Sequence, residues 1–205
     1  MKNFDIFFDL GSSNIRACAF NKNNKDNQAF VEKNCISLFK AGQIDLTETE
    51  KEIEGIIFDL EKKTGEYLES INLMLDTPDS ISINLSLSKK KDGKKIVKED
   101  IQYLVQDAKQ QILKFNSDKN IIHIIVKNYR ADDKNYDHPP IDISCKTFSI
   151  DIIFVCFFKD LVEKLENLFF KFQITVNKIL CTSYTKSLNY KEQFTKSEKI
   201  AFIDI

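Results

Sequence analysis

The sequence predicts an α/β protein built in layers, with a smaller unit inserted into the main one. The chain opens with strand-like segments and continues with strands and helices in alternation, which is the pattern of a layered α/β structure. Between residues 71 and 142 the predicted order is strand, strand, helix, strand. We therefore predict a discontinuous host, residues 1–70 and 143–205, around a compact unit at 71–142.

The first twenty residues indicate two strands joined by a tight turn. Phe4–Leu10 is aromatic and apolar like a buried strand, and residues 15–20 are apolar except for Arg16. The residues between the strands are Gly11, Ser12, Ser13 and Asn14. A glycine lets backbone N–H groups approach an anion, the small polar residues add donors, and the Asp9 carboxylate suits a hydrated Mg²⁺. An ordinary hairpin with a polar tip uses the same residues, so spacing leaves both interpretations open.

The later elements follow from the spacing of apolar residues. A third strand is predicted at 30–39, and a helix begins at Thr47, with Glu50 at the capping-box position, and runs to Glu69. Strict alternation at 81–88 predicts a half-buried strand. The other predicted elements are strands at 71–75, 120–127, 147–158, 174–181 and 199–205, and helices at 98–115, 160–172 and 185–190.

Charge and hydropathy exclude several functional classes. The 30 basic and 31 acidic side chains give a net charge of −1, so nothing indicates a nucleic-acid partner. Five lysines lie within residues 89–95 around Asp92-Gly93, and this dipeptide favours a solvated turn. No targeting sequence or apolar run of about 18 residues is present, which predicts a cytoplasmic protein.

The positions of the cysteines and histidines favour structural roles over catalysis or metal binding. The five cysteines form no CxxC pair, which is typical of buried free thiols in a reducing compartment. His123 lies in an apolar run, and His138 precedes two prolines. Neither histidine has a serine or cysteine at a useful spacing, so we predict no catalytic residue.

Several motifs resemble one protein superfamily. Asp9–Arg16 is similar to the first phosphate loop of the actin-like ATPases, which include actins, heat-shock chaperones and sugar kinases, and residues 41–44 resemble their Gly-x-Ile step. Residues 95–101 and 122–133, followed by Pro140-Ile141-Asp142, resemble the inserted subdomain of FtsA, a bacterial cell-division family. The chain is thus identified, by resemblance, with the N-terminal half of FtsA.

This resemblance implies a fold and a site. The fold is an actin-like (ribonuclease H-like) subdomain 1A at 1–70 and 143–205, interrupted by an α+β subdomain 1C with strand-helix-strand order at 71–142. The implied nucleotide-binding residues are Gly11, Ser12, Ser13, Asn14 and Arg16. Asp9 and Asp204 would hold Mg²⁺ through water. ATP would act as a switch with weak or no hydrolysis, and the chain alone supplies one wall of the ATP site, so we expect it to bind nucleotide weakly or not at all.

The resemblance also implies partners. FtsA proteins bind the ring protein FtsZ through their second half, bind the membrane through a C-terminal helix, associate into filaments, and contact later division proteins through 1C. Their place is the cytoplasmic face of the inner membrane at the division site. The chain ends in an apolar strand with no turn after it, so we expect it to be part of a longer protein.

Two alternatives remain open. A pilus-assembly protein of the PilM kind shares the 1A and 1C layout and would bind a short peptide of a membrane protein in place of FtsZ. The N-terminal half of a sugar kinase would use the same loop to orient ATP for phosphoryl transfer to a hydroxyl. A kinase needs a sugar site and a catalytic acid in a cleft, whereas residues 71–142 offer an amphipathic helix and alternating strands suited to packing.

Overall fold

The computed structural model describes residues 3–24, 28–34, 39–40, 43–44 and 46–191. The chain divides into two compact units, one made of Met1–Pro78 and Glu163–Ile205 and the other of Asp79–Val162. In chain order the elements are β1 (Phe4–Leu10), β2 (Asn14–Asn21), β3 (Gln28–Asn34), β4 (Phe39–Lys40), β5 (Gln43–Ile44), α1 (Leu46–Thr64), β6 (Ser70–Leu75), β7 (Ile81–Lys90), α2 (Lys98–Phe115), β8 (Lys119–Ala131), β9 (Lys134–Tyr136), β10 (Thr147–Phe158), α3 (Lys159–Phe170), β11 (Thr175–Cys181) and α4 (Thr182–Lys191).

The first unit contains a five-stranded sheet in the order β11-β6-β1-β2-β3. The first three strands form an antiparallel meander, while β6 runs parallel to both β1 and β11. Alternate residues of β1 are buried, and the ring of Phe8 packs edge-on against Phe169 of α3 at 5.3 Å between centroids. Helix α1 buries Ile53, Ile56 and Leu60, so apolar burial against helices holds this sheet.

The second unit contains a four-stranded antiparallel sheet in the order β7-β10-β8-β9. Helix α2 contributes Leu104, Ala108 and Ile112 to a core that includes Phe148 and Phe154 of β10. The first residue of β7, Ile81, is paired with Cys156 near the end of β10. The two ends of this unit therefore emerge from neighbouring strands.

The boundaries of the insertion differ from the predicted 71–142. Strand β6 pairs with β1 and β11 in the first sheet, and β10 pairs with β7 and β8 in the second. Compared with the predicted unit, the observed insertion therefore excludes β6 at its start and includes β10 at its end. Both strands are apolar runs that suit either sheet, and their pairing depends on contacts that the local pattern does not contain.

Most other elements lie where the sequence predicts them, with small shifts at their ends. Strand β10 has the predicted bounds. Helix α1 ends at Thr64 and not at Glu69, because Gly65 adopts a left-handed φ of 71°. The predicted final strand at 199–205 lies outside the described residues. No helix in the described part of the chain is long and apolar enough to cross a membrane.

The lysine-rich segment forms the predicted exposed turn at Asp92-Gly93, and in addition two of its lysines enter a buried ion-pair cluster. Strand β7 continues through Lys90, and Lys89 Nζ lies 2.8 Å from Asp100 Oδ1 while Lys91 binds Asp100 Oδ2. The Asp100 side chain is only 4% exposed. Burial favours the neutral acid, but the hydrogen bonds from both lysines and from the Val97 N–H outweigh it and hold the pKa of Asp100 well below its usual range. Two of the five lysines therefore serve a buried ion-pair cluster.

Candidate functional site

A polar cleft lies at one edge of the first sheet, where the parallel strands β1, β6 and β11 end. Its volume is about 340 Å³. Ligand sites of open α/β sheets form at the carboxyl ends of parallel strands, because the loops and helix starts that follow them converge there. The lining residues are Asp9, Leu10, Gly11, Ser12, Ser13, Asn14, Arg16, Asp76, Thr182, Ser183 and Lys186.

The β1–β2 turn forms one wall of this cleft and depends on its glycine. The N–H of Gly11 donates to the carbonyl oxygen of Asn14 at 3.0 Å, which closes the turn. A Cβ atom on Gly11 would lie 2.8 Å from that same oxygen, closer than real Cβ contacts come. Ser12 and Ser13 at the tip are exposed. The turn therefore has the close backbone and the free-standing hydroxyls that an anion site needs.

Asn14 and Arg16 line the cleft, but their polar groups are engaged on the sheet. Asn14 Nδ2 and Arg16 Nε donate to the same Glu32 oxygen at 2.7 and 2.9 Å. Arg16 and Glu32 are direct partners in the β2–β3 register, which explains the ion pair. The hydrogen bond from Asn14, followed by that from Arg16, lowers the pKa of Glu32. The positive charge that Arg16 offers the cleft is therefore already compensated in part.

Asp9 stands at the end of β1 and is held by the start of α4. The Thr182 hydroxyl donates to Asp9 Oδ1 at 3.0 Å, and Thr182 is 6% exposed. The other carboxylate oxygen, Oδ2, lies 3.8 Å from Arg16 Nη1. The Asp9 side chain keeps 21% of its surface exposed. One oxygen is thus fixed by a buried hydroxyl while the group still reaches the cleft.

Asp76 follows β6 and caps the N-terminus of α4. Its oxygens accept from the Ser183 N–H at 3.2 and 3.0 Å, from the Ser183 hydroxyl, and from the Cys181 thiol at 3.0 Å. A carboxylate in this position satisfies the first N–H groups of a helix and opposes its dipole. Burial, followed by the hydrogen bond to Asp76, raises the pKa of Cys181 to about 11. The thiol therefore stays protonated and serves as a donor.

The structure brings together six of the seven predicted site residues, namely Asp9, Gly11, Ser12, Ser13, Asn14 and Arg16. Asp204 lies outside the described residues. Sequence reasoning missed Asp76, Thr182, Ser183 and Lys186. Each comes just after a predicted strand or within the short helix that follows it, so its position in the sequence could have suggested a site residue. That position identifies a residue of this cleft only when the strands are known to be parallel neighbours of β1.

The donor set fits a magnesium nucleotide. The Gly11 turn, whose space a Cβ would fill, with Ser12 and Ser13 offers donors to phosphate oxygens, and Lys186 adds a positive charge. Asp9 supplies an oxygen of the kind that a hydrated Mg²⁺ prefers. These residue types would suit a phosphate group beside a hydrated cation.

The fold, together with the cleft, indicates the class of protein. A five-stranded mixed sheet with a phosphate-type turn between β1 and β2, interrupted by a second small sheet with its own helix, is an actin-like subdomain with an insertion. Residues 80–156 match the family model described as the SHS2 domain inserted in FtsA. Residues 80–156 are therefore similar to the inserted domain of FtsA, and both the fold and the resemblance predicted from the sequence are confirmed.

Three solved structures are similar to this chain at low sequence identity. The PilM–PilN type IV pilus biogenesis complex is 10% identical with a TM-score of 0.55, over 92% of this chain and 50% of that one. A Bacteroides thetaiotaomicron protein with an actin-like ATPase fold and unknown function is 12% identical, with a TM-score of 0.40 and coverage of 93% and 57%. The cytoplasmic domain of EpsL, an inner membrane component of the type II secretion system of Vibrio cholerae, is 10% identical, with a TM-score of 0.38 and coverage of 87% and 55%.

The chain spans about half the length of these solved structures. No curated protein sequence matches it significantly.

Proposed function

We propose that this chain is the N-terminal part of an actin-like, ATP-binding protein of bacterial cell division. The protein polymerises at the cytoplasmic face of the membrane at the division site and connects the FtsZ ring with later division proteins. The observation that carries the proposal is an SHS2 domain of the FtsA kind at 80–156 within an actin-like fold. That insertion also favours this function over the sugar kinase, which needs a sugar site in the same part of the chain.

The nucleotide site of this proposal is the cleft at the end of β1. Gly11, Ser12 and Ser13 bind phosphate oxygens, with Asn14 and Arg16 at the rim, and Asp9 holds Mg²⁺ through water, with Asp204 as the second acidic residue. Mg²⁺ supplies charge neutralisation of the phosphates when it is bound. We assign no catalytic residue, and ATP serves as a switch for assembly with weak or no hydrolysis.

The binding part of the proposal is tested with the chain itself. Amide resonances of the labelled chain are followed by NMR during titration with Mg·ATP into the millimolar range, where even weak binding moves them. We expect the resonances of residues 9–16 and 182–186 to shift together with one dissociation constant. Shifts confined to the second unit contradict the cleft as a nucleotide site.

The cellular part is tested by depleting the protein in the bacterium that encodes it. We expect long cells without septa, because the link between FtsZ and the later division proteins is lost. A PilM-like role is the second candidate, since the PilM–PilN complex shares the fold over 92% of this chain. Depleted cells that divide normally but lack pili support that role and contradict the division function.

A further inference from the structure

We propose that the Thr182 hydroxyl is a positioning group that orients the Asp9 carboxylate toward the Mg²⁺ of a bound nucleotide, while Asp76 is reserved for capping α4. This inference rests on the proposed nucleotide function and assigns different tasks to the two carboxylates of the cleft. Both line the same cavity, at the ends of neighbouring parallel strands. Their hydrogen bonds distinguish them.

Asp76 is committed to the junction between β11 and α4. Both of its oxygens accept from the Ser183 N–H, and the Ser183 hydroxyl and the Cys181 thiol donate to it as well. Moving this carboxylate toward a cation would leave the first N–H groups of the helix without their acceptor. Asp76 is therefore poorly placed to bind an ion.

Asp9 has the opposite arrangement. Its Oδ1 accepts a hydrogen bond from the Thr182 hydroxyl, and its Oδ2 lies 3.8 Å from Arg16 Nη1, which is longer than a hydrogen bond. An ionised carboxylate only accepts hydrogen bonds, so the Thr182 hydroxyl must be the donor. Because Thr182 is 6% exposed and begins α4, it cannot swing away without disturbing the helix start. One oxygen is fixed by the buried hydroxyl, while the second makes the longer contact with Arg16 and accepts no hydrogen bond within the described part of the chain.

Fixing a ligand group before the ion arrives reduces the entropy lost on binding. Removal of the hydroxyl should therefore weaken the binding of Mg·ATP by a larger factor than the binding of metal-free ATP. A purely structural Thr182 predicts a different result, in which stability falls and the two affinities change by the same factor.

The experiment compares Thr182→Val, which keeps the branched shape, with Thr182→Ser, which keeps the hydroxyl. Dissociation constants for Mg·ATP and for ATP with a chelator are measured by NMR titration of the whole chain. We expect wild type and Thr182→Ser to bind Mg·ATP more tightly than metal-free ATP. In Thr182→Val we expect this magnesium-dependent gain to fall by about tenfold, close to 1.4 kcal/mol. Should Thr182→Val not fold, Thr182→Ala provides the same loss of the hydroxyl.

The outcomes separate this inference from the function on which it rests. Equal magnesium dependence in wild type and Thr182→Val overturns the positioning role and leaves nucleotide binding intact. Failure of Thr182→Ser to retain the gain also overturns it, because its hydroxyl remains. If nucleotide moves only resonances outside residues 9–16 and 182–186, the proposed site falls and the inference falls with it.

Discussion

At the scale of the residue, Gly11 is the position in the cleft where a larger side chain is hardest to accommodate. The space that a Cβ would need is occupied by the Asn14 carbonyl oxygen, which is backbone and cannot rotate away. Any larger residue must therefore shift the turn that carries Ser12 and Ser13. Gly55 provides a contrast, because a Cβ there meets the end of the flexible Lys33 side chain.

We predict that Gly11→Ala weakens nucleotide binding by about tenfold or more, close to 1.4 kcal/mol. Gly55→Ala, the matched control inside α1, should bind as wild type does, and it also removes a helix-destabilising glycine. Both affinities are measured by the NMR titration. Equal binding in the two variants would show that the turn does not contact the nucleotide.

Asp100 is the charged residue on which the second unit depends. Its carboxylate satisfies Lys89, the nearly buried Lys91 and the Val97 N–H at the start of α2. Removal of the carboxylate leaves Lys91 without its buried partner. The neighbouring Glu99 is exposed and serves as a control in the same helical turn.

We predict that Asp100→Ala lowers the free energy of unfolding by about 3–5 kcal/mol, the range for breaking a buried ion pair. Glu99→Ala should cost about 1 kcal/mol or less, since it removes only a helix-dipole interaction at the surface. Chemical denaturation of both variants gives the two values. A loss of similar size in both would contradict a special role for the cluster.

The same carboxylate predicts a pH dependence. The folded state holds the pKa of Asp100 below its unfolded value of about 3.9, so its stabilisation is complete above that pH and is lost as the pH falls. Wild type should therefore lose stability below about pH 4 more steeply than Asp100→Asn does. Denaturation series at descending pH measure the two slopes, and parallel slopes would refute the assignment.

At the scale of the element, α2 shows how an amphipathic helix organises the inserted sheet. Leu104, Ala108 and Ile112 recur at helical spacing and are buried, whereas Leu113 on the same helix is 39% exposed. The Asp100 carboxylate binds the Val97 N–H at 3.0 Å and so fixes where the helix begins. Sequence periodicity alone predicts both the helix and its buried face.

Two leucines of α2 give a matched test of that face. Leu104→Ala should lower the free energy of unfolding by about 2–5 kcal/mol, because it deletes buried methyl groups and leaves a cavity. Leu113→Ala should cost about 1 kcal/mol or less, since its side chain is partly in water already. Urea denaturation compares them, and a reversed order would mean that the helix packs through its other side.

At the scale of the whole molecule, the insertion is a unit whose ends meet. Ile81 and Cys156 are paired in adjacent antiparallel strands, so residues 79–162 can leave and rejoin the host at one place. Units of this kind carry their own core and are good candidates for independent folding. The core around α2 and β10 lies within these bounds.

We predict that an isolated fragment 79–162 folds cooperatively and gives a dispersed amide spectrum. A fragment with the sequence-predicted bounds, 71–142, should stay unfolded, because it lacks β10, which lies between β7 and β8 in the sheet. Circular dichroism and NMR of the two fragments decide between the boundaries. A folded 71–142 fragment would support the boundaries predicted from the sequence and contradict those of the structure.

Local pattern was sufficient for the β1–Gly11–β2 turn, the α2 stripe and the strand at 147–158, because each depends on residues that are close in sequence. The motif at 122–142 was sufficient to predict the resemblance to the inserted domain of FtsA, which the match at residues 80–156 confirms. Part of the candidate site could be predicted for the same reason. The first strand and the turn after it carry the site residues from Asp9 to Arg16 in one continuous segment.

Only the tertiary structure decided which sheet β6 and β10 join and which side chains complete the cleft. Ser183 and Asp76 are 107 residues apart, and Thr182 and Asp9 are 173 apart. Nothing local records such a pairing, because parallel strands meet through connections of any length and each apolar strand suits several neighbours. The different hydrogen bonds of Asp9 and Asp76 form only because β1, β6 and β11 lie side by side in the sheet.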